Sequence, residues 1–377
     1  MDTEITIIGA GIIGLAIAAK LSVQSDSLFV IEKHKMFGQE SSSRNSEVVH
    51  SGIYYPRGSL KAILCVKGRE KLYDYCETHE IAYNKCGKLI VATIPEEARQ
   101  LIPILSEAHA NGVTDALLVN RDRIQDLEPY IEAEQGIFFP STGIVDSHSL
   151  MKSLESEAIR NGGNFVYNAE VFGVKRIEAG YEILMRDADG KKFTFTSAKV
   201  INSAGLSAGK ITQSTGITDP NYRVYFWKGE YFSVGNGKHK FINRLIYPVP
   251  EKNRVGLGIH TTIDFDGRVK LGPNALFLER NEPEYSVDPE HAMQFYQAVQ
   301  KFLPFLEPDD LYPDQAGVRP KLQKPGESIR DFIIVEESEK NFPGFVNLIG
   351  IESPGLTASL AIADYVSSLI FPHDQDK

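Results

Sequence analysis

Ile5-Thr6-Ile7-Ile8-Gly9-Ala10-Gly11-Ile12-Ile13-Gly14 is the stretch that decides the fold. Ile5 to Ile8 reads as a short apolar strand, Ile12 to Leu21 as a helix, and Leu28 to Ile31 as a second buried strand ending at Glu32. In such a βαβ opening Gly9 makes the tight turn, Gly11 lets the backbone approach a pyrophosphate, and Gly14 lets the helix pack on the sheet. Helix amides around Ile12 and Ile13 and the helix dipole favour phosphate there. Glu32, at the end of the second strand, can hold two ribose hydroxyls. A bare G-x-G-x-x-G is weak evidence, but here a strand precedes it, a helix follows it and the acidic partner is in place. The segment predicts a dinucleotide site.

Outward from this unit, helices are predicted over Leu60 to His79, Pro95 to Asn111 (which Pro103 can kink), Ser147 to Arg160 with Asp146-Ser147 as cap, Pro289 to Phe302, and Leu356 to Ile370. Strands are predicted at Lys88 to Thr93, Phe165 to Asn168, Tyr181 to Arg186, Phe193 to Thr196, Lys199 to Asn202, Tyr231 to Val234, Leu245 to Val249, Val255 to His260 and Val346 to Ile351. Nucleotide-type βα units lie at both ends and in the middle, with β-rich chain between them. The expected class is α/β: a Rossmann-like doubly wound domain (1–85, 140–220 and 325–377) interleaved with a β-sheet-rich substrate domain (86–139 and 221–324).

The 377 residues carry a formal net charge of −10, which argues against a nucleic-acid partner, since phosphate binding needs clustered Lys and Arg. Three widely spaced cysteines, Cys65, Cys76 and Cys86, fit free thiols in a reducing compartment. The opening Met1-Asp2-Thr3-Glu4 lacks the basic region of a signal peptide, and no apolar run reaches the roughly 18 residues of a spanning helix. A cytoplasmic location is expected, with at most peripheral contact with the inner membrane. The nine histidines are scattered and predict no metal site. Ser203 and Ser353 lack a G-x-S-x-G setting, which argues against hydrolysis.

NAD or FAD is the harder choice, and two distant segments favour FAD. Val200-Ile201-Asn202-Ser203-Ala204-Gly205 is a strand ending in small residues that let a cofactor pass close. Gly350-Ile351-Glu352-Ser353-Pro354-Gly355-Leu356-Thr357 leads into the last helix, whose first amides suit the negative charge of a reduced flavin pyrimidine. Ser41 to Ser46, small and polar, has the composition to thread along the flavin, and Ser43, Arg44, Asn45 and Ser46 join the cofactor set.

Five segments together resemble the L-2-hydroxyglutarate dehydrogenase (oxidase) branch of the D-amino-acid-oxidase-like FAD enzymes. They are Ser42-Ser43-Arg44-Asn45-Ser46-Glu47-Val48-Val49-His50-Ser51-Gly52-Ile53-Tyr54-Tyr55-Pro56, Cys86-Gly87-Lys88-Leu89-Ile90-Val91-Ala92, Thr142-Gly143-Ile144-Val145-Asp146, Leu245-Ile246-Tyr247-Pro248-Val249-Pro250 and Ile351-Glu352-Ser353-Pro354-Gly355-Leu356-Thr357. The resemblance implies FAD, oxidation of L-2-hydroxyglutarate to 2-oxoglutarate with hydride passing from C2 to flavin N5, and electrons leaving for a quinone or oxygen; none of the three cysteines falls in a motif for covalent flavin attachment, so noncovalent binding is expected. Lys33 and Val171 are also counted with the cofactor residues. One departure is Arg319-Pro320-Lys321, where Arg-Ala-Gln is the expected form; the present one is closer to a bacterial subgroup.

A 2-hydroxy acid needs a planar cationic fork for its carboxylate and a base for its hydroxyl. Gly317-Val318-Arg319-Pro320 resembles the superfamily segment that supplies the fork, and Tyr247 the tyrosine that shares its task. For the base the choice lies between His50 and His260; an imidazole suits the task because its ordinary pKa is near working pH. His50 is favoured, with His260 as second base or hydroxyl partner. Tyr54, Lys228 and Lys321 are candidates for the distal carboxylate; Lys321, two residues past Arg319, shares its face if the segment is extended. Two other readings stay open: an oxidase of amino acids or secondary amines, and a flavin-binding subunit without turnover.

Overall fold

The computed structural model describes residues 1–250 and 258–372. The opening reads out as a strand Thr3–Ile8, a helix Ile12–Leu21 and a strand Leu28–Ile31. Ile5 pairs with Leu28 and Ile8 with Ile31 in parallel register. Parallel strands covered on both faces must be apolar throughout, which is why these segments do not alternate. The strand Lys192–Asn202 lies on the other side of Thr3–Ile8 and carries Phe342–Ile349 beyond it, both parallel.

Lys192–Asn202 corrects the expectation of two strands: its first half pairs antiparallel with Gly180–Asp187 and its second half parallel with Thr3–Ile8. One chain segment thus joins a β-meander to the nucleotide sheet, giving eight strands in all. Helix Ile12–Leu21 packs between helices Ser147–Arg160 and Gly355–Ile370, with Leu15, Ile17, Leu154, Ile362 and Val366 in one core.

A second sheet of five strands is built on Tyr225–Val234, which pairs with Leu311–Lys321 along nearly its whole length. A third, of four strands, sets Lys88–Ala92 between Leu245–Pro248 and Gln135–Phe139. Helix Pro95–Ala110 retains Pro103 without ending there, and Leu60–Thr78 is capped by Ser59, whose Oγ accepts from Ala62 N. The predicted helix Pro289–Phe302 is shorter, a 3₁₀ turn followed by Ala292–Val299. The expectation of a strand ending at His260 is reversed: Val255 to Leu257 lie outside the described residues, and His260 begins the strand His260–Ile263. No helix among the described residues is long and apolar enough to cross a membrane.

Candidate active site

Gly9 has φ +99°, a left-handed conformation that L side chains rarely adopt, and so turns the chain sharply off the first strand. A Cβ on Gly14 would lie 2.0 Å from Gly9 O, so the helix can approach the strand only with glycine there. Gly14 itself does not face the cavity that opens above this turn; Gly9, Gly11, Ile12 and Ile13 do. The Gly11 and Ile13 amides find no acceptor among the described residues, whereas Ile12 N–H donates to Ser42 Oγ at 3.0 Å.

Glu32 is pinned by two backbone donors, Ala10 N at 2.8 Å and His34 N at 2.9 Å, with its carboxylate on the cavity wall. Lys33 also lines it, ion-paired to Glu40 at 2.7 Å. Val171, Ala204, Gly205, Gly355 and Leu356 complete this part, Val171 at a register shift in its strand that breaks the backbone ladder. Arg44, Asn45 and Ser46 line it, with Arg44 Nε buried and unpartnered among the described residues; Ser43 does not line it.

The cavity, about 550 Å³, continues to a second region where His50, Tyr54, His260, Arg319 and Lys321 meet. His50 is held from three directions. Its N–H donates to Thr357 Oγ1 at 2.9 Å, Cys65 donates to its carbonyl at 3.5 Å, and Ser353 Oγ lies 3.2 Å from Nε2. Thr357 therefore acts through the His50 segment and does not line the cavity itself. His260 Nδ1 lies 2.8 Å from Gly258 O. A carbonyl can only accept, so Nδ1 carries the proton and Nε2 is left as an acceptor. Tyr247 stacks on His260 at 3.8 Å, fully buried behind it; its hydroxyl has no partner among the described residues.

Loss of hydration is the largest cause pushing His50 down to about 3, with Lys88 and His260 adding to it. His260 falls to about 3 for the same first reason; the Gly258 carbonyl opposes the shift, while Lys88 and Arg319 add to it. An ordinary histidine titrates near 6.5, so below that pH the unfolded chain binds protons that the folded one refuses, and stability falls as pH drops from about 6.5 toward 3. Thermal melts are expected to show a lower Tm at pH 5 than at pH 7, a window above the ordinary carboxylate range. The slope is expected to flatten in a His50→Gln, His260→Gln double variant; an unchanged slope would show that these imidazoles are not what the acid side loads.

Arg319 donates from one terminal nitrogen to Asn274 O at 2.7 Å, and its Nε is buried with no hydrogen-bond partner among the described residues. Lys321 lines the same cavity as Arg319 and pairs with Glu352 at 3.4 Å. Lys61, from helix Leu60–Thr78, grips the same carboxylate at 3.1 Å. Although burial opposes it, the two lysines and Arg319 hold Glu352 down to about 2.

Lys228 is a correction. In strand Tyr225–Val234 it is Gly229 and Tyr231 that face the cavity, so Lys228 points to the opposite side. There it pairs with Glu284 and, at 3.0 Å, with Glu230. Tyr55, Lys61, Tyr231, Glu352 and Ser353 also line the cavity, beyond the site residues that the sequence predicts. Tyr55 and Ser353 stand inside quoted motifs, but nothing local marks Lys61 or Tyr231.

The family described as FAD dependent oxidoreductase (DAO) matches residues 4–369. A mitochondrial L-2-hydroxyglutarate dehydrogenase of Arabidopsis thaliana is 36% identical, over 97% of this chain and 83% of that protein. L-2-hydroxyglutarate dehydrogenase of Escherichia coli (strain K12) is 30% identical, over 97% and 93%. Among solved structures, dithionite-reduced L-alpha-glycerophosphate oxidase from Mycoplasma pneumoniae, with FAD bound, superposes with a TM-score of 0.87 at 26% identity, covering 98% of this chain and 94% of that one. Glycine oxidase from Geobacillus kaustophilus gives 0.80 at 19% identity, over 98% and 94%, a likeness of fold.

Proposed function

The chain belongs to the FAD dependent oxidoreductase (DAO) family, and from that premise we propose that it oxidises L-2-hydroxyglutarate to 2-oxoglutarate at the C2 CH–OH group. The observation that carries this reading is the meeting of a cationic fork and two neutral imidazoles, Arg319 with His50 and His260, on the wall of one cavity. The names of the curated relatives support the choice of hydroxy acid.

FAD is the cofactor, and the residues present fit it. The Gly11 and Ile13 amides and Arg44 Nε, without acceptors among the described residues, are donors for a diphosphate, and Glu32 lines the cavity as an acceptor for ribose hydroxyls. Gly355 and Leu356, at the start of the last helix, present its positive end to the flavin side of the cavity. Bound there, FAD supplies a two-electron acceptor.

The protein's part is to bind, orient and deprotonate. Arg319 takes the C1 carboxylate through its open Nε edge, and Tyr247 sets the plane of His260 by stacking behind it. His50 accepts the hydroxyl proton, and the Nε2 of His260 serves as hydroxyl partner or second base. A quinone or oxygen would be the final electron acceptor. This reading keeps the enzyme in the cytoplasm, with at most peripheral contact with the inner membrane.

The domain division follows the same logic: residues 1–85, 140–220 and 325–377 form the FAD-binding unit, and 86–139 with 221–324 the substrate unit. In support, the strands of the eight-stranded sheet fall in the first set, and those of the five- and four-stranded sheets in the second. An amine-oxidase reading rests on fold likeness at 19% identity and has no need of the two histidines.

Anaerobic titration of the purified protein with L-2-hydroxyglutarate and then with its D enantiomer tests the function. The expected result is bleaching of the flavin band by the L form alone. Bleaching by glycine, sarcosine or proline instead would move the reading to amines.

A further inference from the structure

Four lysines are buried among the described residues: Lys61, Lys88, Lys228 and Lys321. Three lie against carboxylates, Lys61 and Lys321 on Glu352, and Lys228 on Glu230 and Glu284. Lys88 is the exception. It opens the strand Lys88–Ala92, is 1% exposed, and no carboxylate pairs with it among the described residues. Its ammonium instead lies among three aromatic rings, 5.1 Å from the centre of Tyr54, 4.8 Å from Phe139 and 5.1 Å from Tyr247.

Ring faces attract a cation but do not replace a counter-ion in a site closed to water. A buried positive charge without an anion is a standing cost to the fold unless an anion arrives with a ligand. Position says where that ligand would be. Tyr54 is on the cavity wall, and Tyr247 stacks on His260, so the charge sits one ring behind the substrate region. A 2-hydroxy diacid brings two negative charges, of which Arg319 answers one.

We propose that Lys88 is the specificity determinant for a second carboxylate: its charge, which no carboxylate among the described residues pairs, acts across the Tyr54 wall, draws the distal carboxylate of a 2-hydroxy diacid and sets the preference for diacids over monoacids. This rests on the hydroxy-acid reading above and names the residue that would make the substrate a diacid. No proton or electron moves in this role. Burial pushes Lys88 itself down to about 7, so the charge is open to test by pH. The titratable groups around it are His50 and Tyr54 from the segment before helix Leu60–Thr78, Cys65 from that helix, Tyr247 from strand Leu245–Pro248 and His260 from strand His260–Ile263. Burial moves both histidines to about 3 and Cys65 to about 12, and raises Tyr247 well above the ordinary tyrosine value.

The test compares kcat/KM for L-2-hydroxyglutarate and L-2-hydroxybutyrate in the FAD-loaded wild type, Lys88→Met and Lys88→Arg. Binding of the unreactive pair glutarate and butyrate is measured alongside by calorimetry. Lys88→Met is expected to lose about 100-fold on the diacid, mainly in KM, and about 3-fold or less on the monoacid, with Lys88→Arg restoring part of the difference. Equal losses on both acids would overturn the proposal, because Lys88 would then act on the histidines or the fold. Should Lys88→Met fail to fold or to keep FAD, the wild type still decides. Its affinity for glutarate relative to butyrate is expected to fall at least about 10-fold between pH 6.5 and 9 as Lys88 loses its proton, and a constant ratio would overturn the idea. A wild type without diacid preference sinks the substrate reading and this one together. A preference that survives in Lys88→Met sinks this one alone.

Discussion

His50→Ala is expected to slow anaerobic reduction of the bound flavin by about 100- to 10,000-fold, the usual worth of a positioned general base. FAD content is expected to stay at the wild-type level, since the Gly11 and Ile13 amides and Glu32 belong to other segments of the chain. The base must be neutral before the substrate arrives, and burial keeps it so. It must then hold a proton, and the carboxylates that enter with the substrate favour this by raising the pKa of an imidazole beside them. Stopped-flow reduction at saturating substrate separates the step from binding. His260→Ala run alongside ranks the two histidines: a slower His260→Ala would exchange their roles, and a His50→Ala enzyme that reduces at the wild-type rate removes His50 from the chemistry.

The second large effect is expected at Arg319. Arg319→Met removes the cationic fork from a site where Asn274 O already occupies one terminal nitrogen and Nε has no partner among the described residues. Truncating one member of a buried, hydrogen-bonded charge pair costs about 2–5 kcal/mol, which is roughly 30- to 5,000-fold in kcat/KM. Arg319→Lys is expected to recover only a fraction, because an ammonium lacks the planar two-point geometry that matches a carboxylate. Steady-state kinetics on the L enantiomer measure both variants. An Arg319→Met enzyme within about 3-fold of wild type would mean that the C1 carboxylate is held elsewhere, with Lys61 and Lys321 the next cations to examine.

The two halves of the site differ in how they were written into the chain. The cofactor half is local. Gly9, Gly11 and Gly14 sit within one turn, and their roles follow from backbone geometry that neighbouring residues impose. The substrate half is long-range: His50 is placed by Thr357 and Ser353, more than 300 residues away, and Arg319 by Asn274 on another segment. Lys228 shows the cost of reading such a region by residue type. A lysine in a strand faces one of two sides, and a shift of one residue exchanges them. Gly229 and Tyr231 hold the cavity side, leaving Lys228 to pair with Glu230 and Glu284. Lys61 carries no local signal, because its meaning depends on Glu352 at the other end of the chain.

The sequence by itself determined the nucleotide turn, the class of fold and the segments that resemble a hydroxy-acid dehydrogenase. These depend on periodicity, on glycine where no Cβ fits, and on motifs of contiguous residues. Only the tertiary structure decided which side chains face the cavity, that Tyr247 stands behind His260, that Lys321 and Lys61 share Glu352, and that Lys88 lies among aromatic rings with no carboxylate among the described residues. The physical reason is that charge, burial and hydrogen-bond partnership belong to pairs of residues brought together across sheets, and no single residue carries that information along the chain.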